Sequence, residues 1–273
     1  MAQAVQIAVG KTSKTSAWTL VTESIADTAV LTRRNLLVWV RMPSFLIITV
    51  VQPIIFVLLF RFVFGGAIKV TNPGGYVEYL MPGIIAQTAA MASIATAIAL
   101  ARTMSRGIVD RYRSMPMARP AFLGGRLTAD AVRILVTLIM IMVIGYLVGF
   151  RFRAGWQAAI AMMGLALAFG VAMCCVMAFT GLAIRNEEAV QGYGLVWLFP
   201  LTFVSSAFVP VASMPGWLQP FARNQPVTVV IDAMRALTLG GPVASSAWKA
   251  VAWILGITVV FMLLSVRSYT RTN

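Results

Sequence analysis

Residues 134–150 read Ile-Leu-Val-Thr-Leu-Ile-Met-Ile-Met-Val-Ile-Gly-Tyr-Leu-Val-Gly-Phe, seventeen positions without a charged side chain. The run does not alternate in polarity, as a half-buried strand or a membrane β-barrel segment of about ten residues would. A helix built from it is apolar on every face, so it needs apolar surroundings on every side. Five further apolar runs cover 44–64, 79–101, 157–184, 193–211 and 248–266, with single charges only at Arg61 and Lys249. At 1.5 Å per residue most can cross about 30 Å of hydrocarbon as helix; 134–150 and 193–211 are near the short limit.

The whole composition agrees. The 273 residues are 60% hydrophobic and only 11% charged, with a mean hydropathy of +0.87. Soluble domains carry about 25% charged residues, and so little charge cannot cover a water-facing surface of this size. The sequence therefore predicts an all-α integral membrane protein with six transmembrane helices.

Net charge is +14. In a soluble chain that balance would suggest nucleic acid. Here the arginines sit between apolar runs, where they orient the chain and meet anionic lipid, and no nucleic-acid partner is expected. Segments 1–43, 102–133, 183–191 and 267–273, all on one side, hold 15 of the 22 Lys and Arg, and the other side holds 7. This bias predicts a multi-pass cell-membrane protein with cytoplasmic N- and C-termini. Residues 1–20 lack the apolar core of a secretory signal.

Histidine is absent, which removes the commonest metal ligand and general base. Cys174 and Cys175 are adjacent inside an apolar run and read as small core residues. All eight acidic residues fall outside the six expected spans, at Glu23, Asp27, Glu78, Asp110, Asp130, Glu187, Glu188 and Asp232. Proton-driven drug efflux, the alternative reading, needs a titratable intramembrane group. Gly10-Lys11-Thr12-Ser13 imitates the end of a phosphate-binding loop, but Val5 stands where the first glycine belongs. No catalytic residue, metal site or cofactor is expected in this chain.

Three connections carry further information. Residues 18–43 place apolar side chains at helical spacing, interrupted by Thr32, among Arg33, Arg34 and Arg41, which predicts an interfacial helix after a flexible 1–17. Residues 44–273 then form one transmembrane domain. After the second span, Arg106, Asp110 and Arg113 can line one face of a short helix, and Ile108, Val109, Tyr112 and Met115 another. Pro116 stops it. A basic amphipathic helix of this sort suits docking to a partner protein, as it suits a plain positive loop. The external connection 211–247 is broken by Pro215, Pro220 and Pro226 and is rich in Trp217, Leu218, Phe221, Val227, Val230, Met234 and Leu237. It predicts two short helices at or within the outer membrane boundary. Pro53, Pro82 and Pro200 bend their spans, and Gly145 and Gly149 form a GxxxG pair.

The segment Ser105-Arg106-Gly107-Ile108-Val109-Asp110-Arg111-Tyr112-Arg113-Ser114-Met115-Pro116-Met117-Ala118-Arg119, with Gly125-Arg126-Leu127-Thr128-Ala129-Asp130 downstream, resembles the signature of ABC-2 type permeases. The daunorubicin/doxorubicin-resistance permeases are the most similar subfamily. Residues 199–210 resemble their fifth-span motif, and Met214-Pro215-Gly216-Trp217-Leu218-Gln219-Pro220-Phe221 with Asn224-Gln225-Pro226 resembles their external re-entrant segment.

The resemblance implies a six-span, type V exporter-like permease with a cytoplasmic elbow helix and external re-entrant helices. It implies two ABC ATPase subunits and a second permease, identical or homologous, with ATP and Mg in the ATPase. By position, Arg106, Gly107, Ile108, Val109, Asp110, Arg111, Tyr112, Arg113, Met115 and Pro116 would form the coupling helix. The cargo would be a drug or antibiotic, or a complex lipid. Sixteen methionines and scarce polar residues in the spans favour a hydrophobic or amphipathic one. Gln52, Phe56, Gln87, Phe203 and Ser205 are the candidate residues along its path; helix–helix packing is the plainer role for each.

Overall fold

The computed structural model describes residues 17–41, 43–64, 75–106, 119–240 and 243–271. Among them every regular element is helical. Helix α1 spans Ala17–Val40 and α2 Pro43–Leu59, continued by a π turn at Phe60–Phe64. Then come α3 (Gly75–Ala92), α4 (Ile94–Ser105), α5 (Arg119–Leu147), α6 (Gly155–Ile184) and α7 (Glu187–Phe203). A 3₁₀ turn at Val211–Ser213 leads to α8 (Gln219–Asn224), α9 (Pro226–Leu239) and α10 (Val243–Arg271).

Four helical stretches among the described residues are long and apolar enough to cross a membrane: Gly75–Ser105, Phe122–Leu147, Gly155–Ile184 and Ser246–Ser268. Val51–Val63 is a shorter apolar helix. Helix α7, with 17 residues, ends at Phe203, whereas its apolar run continues to 211. The reason is local: residues 204–210 leave the helical path and take their hydrogen bonds from neighbouring side chains.

One expectation changes. Helix α5 begins at Arg119, fifteen residues before the apolar run that announced it. Asp130 and Arg133 therefore lie on a membrane-capable helix and not in a loop, and Glu78 likewise lies inside Gly75–Ser105. Hydropathy ended the runs there because it scores a charge as exposed, whereas these charges are paired. Helix α4 ends at Ser105, one residue before the segment read as a docking element.

Helix α6 is the centre of the bundle. Phe169, Ala172, Met173, Cys174 and Met177 are fully buried, and α6 packs against α3, α4, α5, α7, α9 and α10. Small residues set the approach. A Cβ on Gly181 would lie 2.9 Å from the Ala97 Cα of α4, and one on Gly83 of α3 would lie 2.7 Å from the Ala207 Cα. Gly145 meets the Met81 side chain, so the first glycine of the GxxxG pair seats α5 on α3. Gly149, at φ +107°, instead forms the turn after α5. Large apolar side chains such as Leu58, Val143, Leu147, Val196, Leu255 and Leu263 face outward, as a lipid-solvated surface requires.

Candidate functional site

The membrane-capable stretch Gly75–Ser105 is broken at Ser93. Its N–H and its hydroxyl both turn back to the Ala90 carbonyl, at 3.1 and 2.5 Å. Breaking a helix frees carbonyl groups, and in hydrocarbon each must find a donor. Helix α5 supplies them: Arg133 Nη2 donates to Ala92 O at 2.8 Å, and Arg126 Nη2 to Ala95 O at 3.3 Å. Both guanidiniums also grip Asp130, Arg126 at 2.8 and 3.0 Å and Arg133 at 3.1 and 3.3 Å. Thr96 of α4 donates to the same carboxylate at 2.7 Å, and its oxygen lies 3.3 Å from Cys174 Sγ on α6. Asp130 is 2% exposed and Arg133 4%, and an unpaired charge at such burial costs several kcal/mol. Sequence reading missed this node. The signal for it was the Arg126, Asp130, Arg133 spacing of four and three, which puts all three on one helix face.

Beside the node lies a cavity of about 190 Å³ between α2, α3, α4 and α5. Gln52, Phe56, Gln87, Met91, Ile98 and Arg133 are among its walls. Three of the five candidate path residues thus meet in one place. Phe203 adjoins them, edge-on to Phe56 at 6.5 Å between centroids. It also belongs to an aromatic ladder with Phe199 at 4.2 Å and Phe208 at 4.9 Å, and Phe208 stacks on Phe60 at 4.4 Å. Ser205 does not line this cavity: its hydroxyl donates to Thr202 O and accepts from Ala207 N–H at 3.1 Å, bracing the backbone beside it.

At the far end of the bundle the irregular segment 204–210 is satisfied by side chains. Tyr79 and Tyr76 hydroxyls donate to Ser206 O and Phe208 O at 3.0 and 3.1 Å. Gln225 donates to Leu201 O and Val204 O at 3.0 and 2.8 Å. Arg235 of α9 lies over the Tyr79 ring, 3.6 Å from its centroid, and donates to Tyr79 O, Ser206 Oγ, Ser206 O and Asp232. Nearby, Arg153 pairs with Glu78 at 2.9 Å.

Of the residues that the resemblance implies for coupling, Arg106 is described and caps α4, its N–H bonded to Arg102 O at 3.2 Å. Gly107, Ile108, Val109, Asp110, Arg111, Tyr112, Arg113, Met115 and Pro116 lie outside the described residues. The base of the connection is anchored. Arg102 grips Glu187, in the first turn of α7, at 2.6 and 2.9 Å. The hydrogen bond from Arg102 holds the Glu187 carboxyl below its ordinary range; slight desolvation opposes this, and the charges of Arg102 and Arg106 add to it. Asn186 caps that helix, accepting from Ala189 N–H at 2.9 Å. Arg185, at φ +56°, makes the tight link from α6.

Apolar helices with outward-facing side chains, a broken membrane-capable helix and a buried polar node describe a multi-pass membrane permease. The ABC-2 type transporter family matches residues 26–239, and the chain belongs to that family. It is 30% identical over 240 residues to the daunorubicin resistance ABC transporter permease protein DrrB1 of Streptomyces coeruleorubidus, covering 88% of this chain and 84% of that one. It is 32% identical over 249 residues to the probable doxorubicin resistance ABC transporter permease protein DrrC of Mycobacterium tuberculosis, covering 91% and 90%. The putative transport permease ycf38 of Cyanophora paradoxa is 25% identical, covering 78% and 74%.

Proposed function

We propose that this chain is the six-span membrane half of an ATP-driven exporter that carries a hydrophobic or amphipathic cargo outward from the cytoplasm or inner leaflet. The observation that carries the reading is the cavity in which Gln52, Phe56 and Gln87 converge beside Arg133. A mostly apolar wall with a few convergent polar groups is the usual form of a small-molecule site. The names of the relatives, tied to daunorubicin and doxorubicin resistance, favour a drug as cargo.

In this reading both termini face the cytoplasm. Two ABC ATPase subunits, holding ATP and Mg, seat the segment from Arg106 to Pro116, and a second permease completes the pathway. The Arg102–Glu187 bridge ties the end of α4 to the start of α7, so a push on the connection moves both helices. α8 and α9 form the external re-entrant pair past which cargo leaves. The proton-driven alternative asks for a carboxylate free to exchange protons with cargo. Glu78 and Asp130, the carboxylates on membrane-capable helices, are each tied to arginines, which favours the ATP-driven reading.

The test is reconstitution with an ABC ATPase in proteoliposomes. ATP-dependent cargo movement that falls in Gln87→Ala and Gln52→Ala, with assembly intact, is the expected result. Asp110→Lys or Gly107→Pro should insert normally and uncouple ATP hydrolysis from movement. Transport by the chain without any ATPase would refute the reading.

A further inference from the structure

The side of Gln87 that faces the cavity is chemically unfinished. Gln87 is 94% buried by its 6% exposure, and among the described residues no hydrogen bond reaches its amide. The amide opens onto the cavity, where it is free to bond water or a ligand group. Gln52 brings a second amide from α2. Arg133 brings the third group: Nε and Nη2 are engaged by Asp130 and Ala92, which leaves Nη1 as the nitrogen for the cavity.

Charge decides what fits. The node beside the cavity holds two guanidiniums, Arg126 and Arg133, against one carboxylate, Asp130, and so carries one uncompensated positive charge. No carboxylate lines the cavity among the described residues. Arg133 is the guanidinium that reaches the cavity, beside the apolar walls of Phe56, Met91 and Ile98, so its charge is screened less there than in open water. A cationic head placed there is repelled. A carboxylate or phosphate head can accept from the guanidinium and from the glutamine amides.

We propose that this cavity binds amphiphiles with an oxyanion head, carboxylate or phosphate, and disfavours cationic ones. The inference rests on the cavity being the cargo site of the exporter reading, and it names a class of cargo distinct from the amines daunorubicin and doxorubicin that the relatives' names point to.

The experiment measures equilibrium binding to the permease in nanodiscs of zwitterionic lipid. The probes share one fluorophore and one dodecyl chain and end in phosphate, carboxylate or trimethylammonium. The two anions should bind at least about tenfold more tightly than the cation. Gln87→Glu, which adds a carboxylate without touching the arginine node, should narrow or reverse that ratio, and Gln52→Glu should act in the same direction. Equal or tighter binding of the cation by the unaltered chain, or an unchanged ratio in both variants, overturns the proposal. Comparing phosphate with carboxylate separates a lipid-phosphate cargo from a carboxylate drug. ATP-driven movement is scored separately with the ATPase present. If the anion preference holds while ATP moves nothing, the exporter reading falls and the charge preference stands.

Discussion

Thr96 of α4 donates a 2.7 Å hydrogen bond to Asp130 of α5, joining two helices across the break at Ser93. The carboxylate is thereby held from three directions, by one hydroxyl and two guanidiniums. Removing its charge leaves the buried Arg133 and the half-buried Arg126 facing each other without a counter-ion. Asp130→Asn should therefore destabilise the permease by about 3–5 kcal/mol. Thr96→Val, which removes only one donor, should cost about 1 kcal/mol. Thermal unfolding in detergent checks both, and equal losses would contradict this ranking.

Gly181 faces Ala97 where α6 crosses α4. A side chain there meets backbone, which cannot rotate away. Gly181→Val should lower stability by about 1–3 kcal/mol through overpacking. Gly164, on the same helix, has nothing within 4 Å of a built Cβ. Gly164→Ala should be neutral, or should stabilise by roughly 0.5–1 kcal/mol. Parallel melting curves distinguish the two positions.

Glu187 titrates below its ordinary range because Arg102 holds its charged form. The stabilisation from the pair is complete above the unfolded value of about 4.3 and is lost as pH falls through the lowered folded value. Wild type and Glu187→Gln should thus differ in Tm at neutral pH, and the gap should close only under acid conditions. The gap should be small and should shrink with salt, because the pair is solvated. A gap that widens on acidification would contradict the sign.

Arg235 donates to two carbonyl groups of a non-helical segment, to the Tyr79 carbonyl of α3 and to two side chains. Lysine has three donors on a single nitrogen and cannot span them. Arg235→Lys should cost about 1–3 kcal/mol through unpaired buried groups. Hydrogen exchange of residues 204–209 should rise locally, while exchange in α6 stays slow. A uniform rise across the bundle would assign Arg235 a global role instead.

The candidate cavity was half legible. Gln52 and Gln87 stood out because an amide in an apolar run is unusual and calls for a partner. Arg133 did not, because a hydropathy boundary drawn at 134 left it in a loop. Ser205 looked equivalent to the glutamines in sequence, yet its hydroxyl is consumed by the backbone beside it. Sequence cannot separate a polar group that faces a cavity from one that repairs its own chain.

The sequence alone determined the solvent and the class. Sixty per cent apolar residues in runs of helical length leave lipid as the only surroundings, and the motif at 105–130 marks the ABC-2 family. Both are properties of composition and of order along the chain. Tertiary structure decided where the charges go. Asp130 and Glu78 can lie on membrane-capable helices because arginines from the same helix, or from a distant connection, neutralise them at about 3 Å. Pairing of that kind depends on distance in space, and only folding brings those atoms together.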